Sequence, residues 1–231
     1  MANPIFCAVD RPDLEGTLAL VRALAPHVGG IKLGLEFFVA QGPGGVAEVA
    51  RLGLPIFLDL KLHDIPNTVA GAVREVAKLG VAMLTVHAAG GRAMLAAAAE
   101  AAASSATRPV LLGVTVLTSL DGADLAETGV AVAPDEQALR LARLAVSAGI
   151  DGLVCSPHEI TPLRRALGQG PRIVVPGIRP AQAGDDQKRV MAPADALAAG
   201  ADVLVIGRPI TRAPVPADAA AGIFRGLRPA A

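Results

Sequence analysis

The stretch 56-IFLDLKLHDIPNTV-69 carries three kinds of chain in quick succession. Ile56-Phe57-Leu58 is an apolar run of residues that favour a buried strand. Asp59, Lys61, His63 and Asp64 then crowd charge and hydrogen-bonding groups onto its end. Pro66 starts a helix, because a first helical turn tolerates the missing N–H of proline. A buried strand that runs through a polar end into a helix is one βα unit.

That unit recurs. Strand-like runs fall at Ile5–Val9, Gly30–Leu33, Ile56–Leu60, Met83–His87, Val110–Val114, Gly152–Cys155, Ile173–Val175 and Val203–Ile206. Helical spacing follows at 13–25, 36–51, 66–79, 91–104, 135–148, 159–166, 194–199 and 217–226. With no break in composition, the units predict one domain over residues 1–231. Alternating strands and helices predict a parallel sheet, and this number of them closes into a single (β/α)8 TIM barrel. The 231 residues suit such a barrel, which typically needs ~250. A doubly wound sheet is the structural rival, but no Gly-rich phosphate fingerprint follows the first strand. The longest connections, Thr115–Pro134 and Pro176–Pro193, lie on the C-terminal side of strands, where barrel enzymes keep their active sites. The second, rich in Gly and Pro, predicts a shaped lid loop and not a further helix.

Composition narrows the function. Lys and Arg number 21, as do Asp and Glu, so the basic excess of a nucleic-acid surface is missing. Uncharged stretches such as Pro109–Leu120 fall short of the ~20 residues of a membrane helix. "MANPIFCAVD" has no basic region and reaches Asp10 at once, unlike a signal peptide. Cys7 and Cys155 sit in apolar runs and read as buried thiols. A cytoplasmic protein is expected. Without Trp or Tyr, polar groups and aliphatic walls must grip any substrate.

Charge gathers at the ends of the first strands: Asp10, Lys32 in "GIKLG", then Asp59 and Lys61. In a strand, i and i+2 share a face, so Asp59 and Lys61 are expected to point together toward the barrel mouth. Each has a plain structural reading. Asp10 starts a turn before Pro12, Lys32 snorkels from the wall, Asp59–Lys61 is an ion pair, and Asp64 caps the helix that starts at Pro66. Jointly these fare worse, because converging charges on an apolar mouth are costly to desolvate without a task. Lys61, flanked by Asp59 and Asp64, is expected to stay an ammonium, hence a proton donor or electrostatic anchor and not a Schiff-base amine. No Ser-His-Asp logic is visible, and no His/Cys spacing suggests zinc. The carboxylates suit Mg²⁺, but an adjacent ammonium competes for them.

The turns after the last two strands read 174-VVPGIRP-180 and 205-VIGRPIT-211. Gly177 and Gly207 let backbone N–H groups approach an oxyanion, and Arg208 offers a fork suited to phosphate. The plain alternative is a strand-ending turn with a solvated Arg. The position, where barrels hold phosphate, favours the first reading.

Taken together, "DLKLHDIPNTV", Asp10, "GIKLGLEFF", "GVTVLTS" (113–119), "VVPGIRP", "AGDDQKRVMAP" (183–193) and "VIGRPIT" resemble the orotidine 5′-phosphate decarboxylase family in its bacterial form, in order along the chain. The resemblance implies decarboxylation of orotidine 5′-monophosphate to UMP in de novo pyrimidine synthesis, with no cofactor and no metal. It implies that Lys61 donates a proton to C6 and that Asp59 lies near the departing carboxylate. Lys32 would link that centre to the ribose, and Asp10 would bind a ribose hydroxyl. Thr118 would contact the base, and Arg179, Gln187, Gly207 and Arg208 would serve the phosphate and lid end. Asp64 and Thr68 would reach into the neighbouring site of a homodimer. His63 is assigned to the face away from Lys61 in a structural role, and His87 to packing or a hydrogen bond at the mouth. A sugar-phosphate decarboxylase or a Mg²⁺-dependent hexulose-phosphate synthase-like lyase is the nearest rival, opposed by the His-Asp-Ile-Pro-Asn-Thr continuation. A non-catalytic phosphoribosyl-binding barrel is the other, opposed by the presence of both Asp59 and Lys61.

Overall fold

The computed structural model describes residues 3–179 and 190–227. Its strands are β1 (Ile5–Ala8), β2 (Gly30–Leu33), β3 (Ile56–Leu62), β4 (Met83–His87), β5 (Val110–Val114), β6 (Gly152–Val154), β7 (Arg172–Val175) and β8 (Val203–Ile206). Each pairs in parallel with its neighbours in sequence, and β8 returns to β1, closing the barrel. The helices are α1 (Leu14–Leu24), α2 (Leu35–Ala50), α3 (Pro66–Ala77), α4 (Gly91–Ala103), α5 (Gly122–Glu127), α6 (Pro134–Ser147), α7 (Ile160–Leu167), α8 (Pro193–Ala199), α9 (Arg208–Thr211) and α10 (Pro216–Arg225). The expected barrel is therefore the observed one.

Local chemistry sets the boundaries. Pro66, Pro134, Pro193 and Pro216 each open a helix in the first turn, where no N–H is needed. Asp13 caps α1 by accepting from the Gly16 N–H. α2 kinks at Gly42-Pro43. Two short helices depart from the sequence expectation. The 115–134 connection holds α5, started by an Asp121–Asp124 capping box, and α9 follows β8 directly.

Strand alternation divides the core in two. Ile5, Cys7, Ile31, Ile56, Leu58 and their counterparts point outward and pack under the helices. Phe6, Phe57, Met83, Leu112, Val174, Val203 and Val205 fill the barrel interior. Gly30 is required there: a Cβ would stand 2.2 Å from the Phe6 ring. Continuing the inward rows past the ends of these strands leads from Ala8 to Asp10, from Gly30 to Lys32, and from Phe57 to Asp59. The C-terminal mouth therefore receives the charges whose inward neighbours are apolar.

Candidate active site

Lys32 is 8% exposed and lies between two carboxylates. Its Nζ is 3.1 Å from Asp10 Oδ1 and 3.6 Å from Asp59 Oδ2. Lys61 Nζ donates to the same Asp59 oxygen at 2.9 Å. Burial pushes the Asp59 carboxyl upward. The positive charges of Lys32 and Lys61, with hydrogen bonds from Lys61 and Thr85, outweigh burial and hold it below the ordinary carboxylate range. Gly34, just past β2, keeps this cluster open: a Cβ there would meet Asp10 Oδ1 at 2.5 Å and Lys32 Nζ at 3.0 Å.

Asp59 and Lys61 do meet, but not through plain strand alternation. The β3–β4 register shifts between Leu58 and Leu62, so that Asp59, Leu60 and Lys61 stand opposite the single residue Thr85. Among the described residues, Lys61 is the one non-glycine with positive φ, at 50°, a conformation that costs energy for a residue with a Cβ. This bulge breaks the period of two, and with it the face assignment of everything beyond. Plain alternation would have put His63 on the same face as Lys61. His63 instead stacks on His87 with ring centroids 5.3 Å apart. His87 Nδ1 accepts the Ala89 N–H at 3.3 Å. Burial, then the charges of His63 and Lys61, push His87 below its usual value.

Two adjoining cavities open on the cluster. The inner one, about 160 Å³, is walled by Lys32, Asp59, Lys61, Thr118 and apolar side chains that include Phe57, Val116 and Val154. The outer one, about 390 Å³, is walled by Asp10, Lys32, Arg179, Gly207, Arg208 and Arg212, among others. They share Lys32, Pro176 and Val205. Together they have the size of a small-ligand site, apolar with an ion pair at one end and cationic at the other. Arg179 is buried, donates through Nη1 to the Ile178 carbonyl, and has its N–H bonded to the Met191 carbonyl at 3.0 Å. An Ile178–Met191 bridge ties the same two segments. The rest of the expected lid, with Gln187, lies outside the described residues.

Asp64 and Thr68 line neither cavity. Both are exposed, and among the described residues the Lys61 ammonium pairs with Asp59 and not with Asp64. Nor does Asp64 cap α3. The N-cap is Ile65, and Asp64 Oδ1 accepts the Ile65 N–H instead. Two residues escaped the sequence reading. Thr85 is buried and bonds both Asp59 and the Lys61 backbone; a lone hydroxyl in the apolar run of β4 was its signal. Arg212 lies four residues after Arg208, a spacing that becomes meaningful once α9 is known to be helical. Cys155 borders the inner cavity, but burial, then the Glu159 charge, pushes its thiol well upward, with Arg164 opposing. Burial, then Asp10, takes Cys7 to about 12. Neither thiol is poised as a nucleophile.

Residues 3–223 match the model of the Orotidine 5′-phosphate decarboxylase / HUMPS family. An orotidine 5′-phosphate decarboxylase from Anaeromyxobacter sp. (strain K) is 55% identical over 96% of this chain and 97% of its own. That of Novosphingobium aromaticivorans is also 55% identical, over 96% and 98%. The crystal structure of the orotidine 5′-phosphate decarboxylase from Lactobacillus acidophilus superposes with a TM-score of 0.87 at 36% identity, covering 98% of this chain and 99% of that one.

Proposed function

This chain belongs to the orotidine 5′-phosphate decarboxylase / HUMPS family, and from that premise we propose that it converts orotidine 5′-monophosphate to UMP in pyrimidine biosynthesis, with Lys61 as the proton donor. The C6–carboxylate bond breaks, CO₂ departs, and the electron pair stays on C6. That lone pair lies in the plane of the ring, where the π-system does not absorb it. Stabilisation must then be electrostatic, from a fixed cation placed where the charge develops. Lys61 is suited to this. Among the described residues its ammonium donates only to Asp59, which leaves N–H groups to face C6 and one proton to transfer there.

Asp59 has two tasks in this reading. It fixes the Lys61 ammonium, and it stands beside the carboxylate that leaves. Lys32, shared between Asp10 and Asp59, couples the reacting end to the ribose, whose hydroxyl Asp10 accepts from. Thr118 meets the base in the inner cavity. Arg179, Gly207 and Arg208 hold the phosphate in the outer one, and Gln187 is assigned to the same end. Phosphate binding remote from the reacting carbon supplies energy for ordering the site.

We assign Asp64 and Thr68 to the site of a second copy. They are exposed beside the mouth, and exposed apolar side chains stand nearby, Leu35 and Val39 at the start of α2 and Ile65 at the N-cap of α3. Apolar exposure beside exposed polar residues is what a homodimer interface needs.

The observation that carries the reading is the Lys32–Asp59–Lys61 cluster at the inner end of a cavity whose outer end is lined by arginines. The test is decarboxylation of orotidine 5′-monophosphate by purified protein in EDTA. Turnover is expected without added metal, because the two lysines already occupy the face of Asp59 that a cation would need. Absent turnover, or turnover only with Mg²⁺, would favour a lyase of the other kind. Mixing Lys61→Ala with Asp64→Ala protomers should regenerate about one competent site per mixed dimer. No recovery would remove the shared site.

A further inference from the structure

A hydrogen-bonded strand normally occupies its N–H groups in the ladder. The bulge at Asp59–Lys61 interrupts the β3–β4 ladder, and Thr85 is the residue of β4 that faces the gap. Its hydroxyl has one proton and two lone pairs, and both kinds of site are used. The Lys61 backbone N–H donates to Thr85 Oγ1 at 2.8 Å, and Oγ1 donates to Asp59 Oδ1 at 2.9 Å. With Oδ1 so engaged, Oδ2 is the oxygen shared by Lys61 (2.9 Å) and Lys32 (3.6 Å). Thr85 is fully buried and borders neither cavity, and its neighbours Met83, Leu84 and Val86 have no side chain that forms such bonds.

We propose that Thr85 is a positioning residue for the decarboxylation, its hydroxyl holding the left-handed Lys61 backbone and the Asp59 carboxylate in one fixed arrangement. The proposal rests on reading the mouth as the decarboxylation centre. Its physical content is orientation. The hydroxyl proton is directed to Asp59, so its lone pair is directed to the Lys61 N–H. One side chain thereby sets both the residue that carries the proton and the carboxylate that aims it. Small displacements of such groups are expensive in rate, about 10²-fold for a misplacement near 1 Å.

Thr85→Val keeps the shape and removes the hydroxyl. It should lower kcat on the order of 10²-fold with the KM for orotidine 5′-monophosphate little changed, since Thr85 touches no substrate. Thr85→Ser should recover most of the rate. In an Asp59→Ala background, Thr85→Val should add far less than it does alone. If Thr85→Val does not fold, Thr85→Cys, the size of Ser with a poorer hydrogen-bonding group, takes its place in the comparison with Ser. A hydroxyl-free variant with unaltered kcat would overturn the proposal. So would a Ser variant no better than Val, which would reduce Thr85 to packing. Amide hydrogen exchange in the unaltered protein gives a readout without turnover: the Lys61 N–H should be protected, and exchange at the rate of an open loop would also overturn the proposal. A protein that fails to decarboxylate orotidine 5′-monophosphate while its Lys61 amide stays protected would sink the reading of function and leave the Thr85 arrangement standing.

Discussion

The two ends of the barrel use the same pairing of carboxylate and cation in different ways. At the N-terminal end, Asp202 precedes β8 and meets Arg164 of α7, while its Oδ2 also accepts the Ile173 N–H of β7 at 2.6 Å. Asp151 precedes β6, meets Arg108, and accepts the Leu111 N–H of β5 at 2.8 Å. Arg164 also donates to the carbonyls of Gly200, Gly168 and Pro171. Each carboxylate there ties one strand to the next. At the C-terminal mouth, Asp59 ties nothing in the ladder. It holds two ammonium groups over a cavity and is itself held by Thr85, at the cost of a bulge and a left-handed Lys61. The base turns its carboxylates to strand N–H groups and arginines, whereas at the mouth Lys32 and Lys61 line cavities. Stability should therefore reside at the base and turnover at the mouth.

The largest effect that would break this division is at Lys61. If Lys61 is the proposed proton donor and charge stabiliser, Lys61→Ala should lower kcat by about 10⁴-fold or more, while UMP binding largely survives in a calorimetric titration. The fold should hardly notice the missing ammonium. Lys61→Gly should be equally inactive yet more stable than Lys61→Ala by ~1 kcal/mol, because glycine carries no Cβ into the left-handed region. A Lys61→Ala protein with normal turnover, or a Gly variant less stable than the Ala one, would erase the contrast.

The complementary change lies at the base. Arg164→Ala removes a buried guanidinium from three carbonyls and Asp202. A loss of roughly 3 kcal/mol is expected for leaving three carbonyls without their donor, while Asp202, exposed to solvent, adds little. In a chain of this size that lowers the melting midpoint by about 6–12 °C. Below the transition, kcat should stay near that of the unaltered protein. A fall in kcat with an unchanged midpoint would show that the base is part of the catalytic machinery after all.

The barrel itself was readable from the sequence, because eight apolar runs, each followed by helical spacing, leave few other closures. The inward charges were readable for the same reason: Asp10, Lys32 and Asp59 extend rows that alternation had already placed inside. What alternation could not supply was the bulge. It depends on Thr85 catching an N–H that leaves the ladder, a contact between residues 24 apart in the chain. The pairing of Asp59 with Lys61 was therefore expected on an incomplete argument, whereas His63, assigned to the face away from Lys61, stacks on His87. α5 and α9 were missed because six and four residues are too few for a hydrophobic period to register. With α9 went Arg212. The roles given to Asp64 and Thr68 have no counterpart within one chain, since both lie exposed beside the mouth.

Gly34 offers a smaller and more local test of the mouth. Gly34→Ala places a Cβ 2.5 Å from Asp10 Oδ1, so the carboxylate must shift from its position. If Asp10 holds a ribose hydroxyl, its displacement removes about one hydrogen bond, worth ~1 kcal/mol. KM should rise about five-fold by that measure, with kcat less affected. A variant that instead lost kcat at constant KM would place Asp10 in the chemistry and not in binding.

The smallest effect is in pH, and its sign separates the mouth from an ordinary surface. Lys32 and Lys61 overcome burial and hold Asp59 below the usual carboxylate range, near 4 for an unfolded Asp. The native state thus binds this proton less readily than the unfolded chain does. Its contribution to stability is complete above the unfolded value and is lost as pH falls through the depressed native one. Activity should follow the same group, so the acid limb of kcat/KM attributable to Asp59 lies below the ordinary carboxylate range. His87, also shifted downward, behaves alike near its own value: the neutral form is favoured in the fold, and stability declines as pH drops below about 6.5. His87→Gln should flatten that neutral-side slope of stability and leave the acid limb of kcat/KM where it was. An acid limb that moved with His87→Gln would tie the histidine stack to Lys61 and extend the working mouth outward to β4.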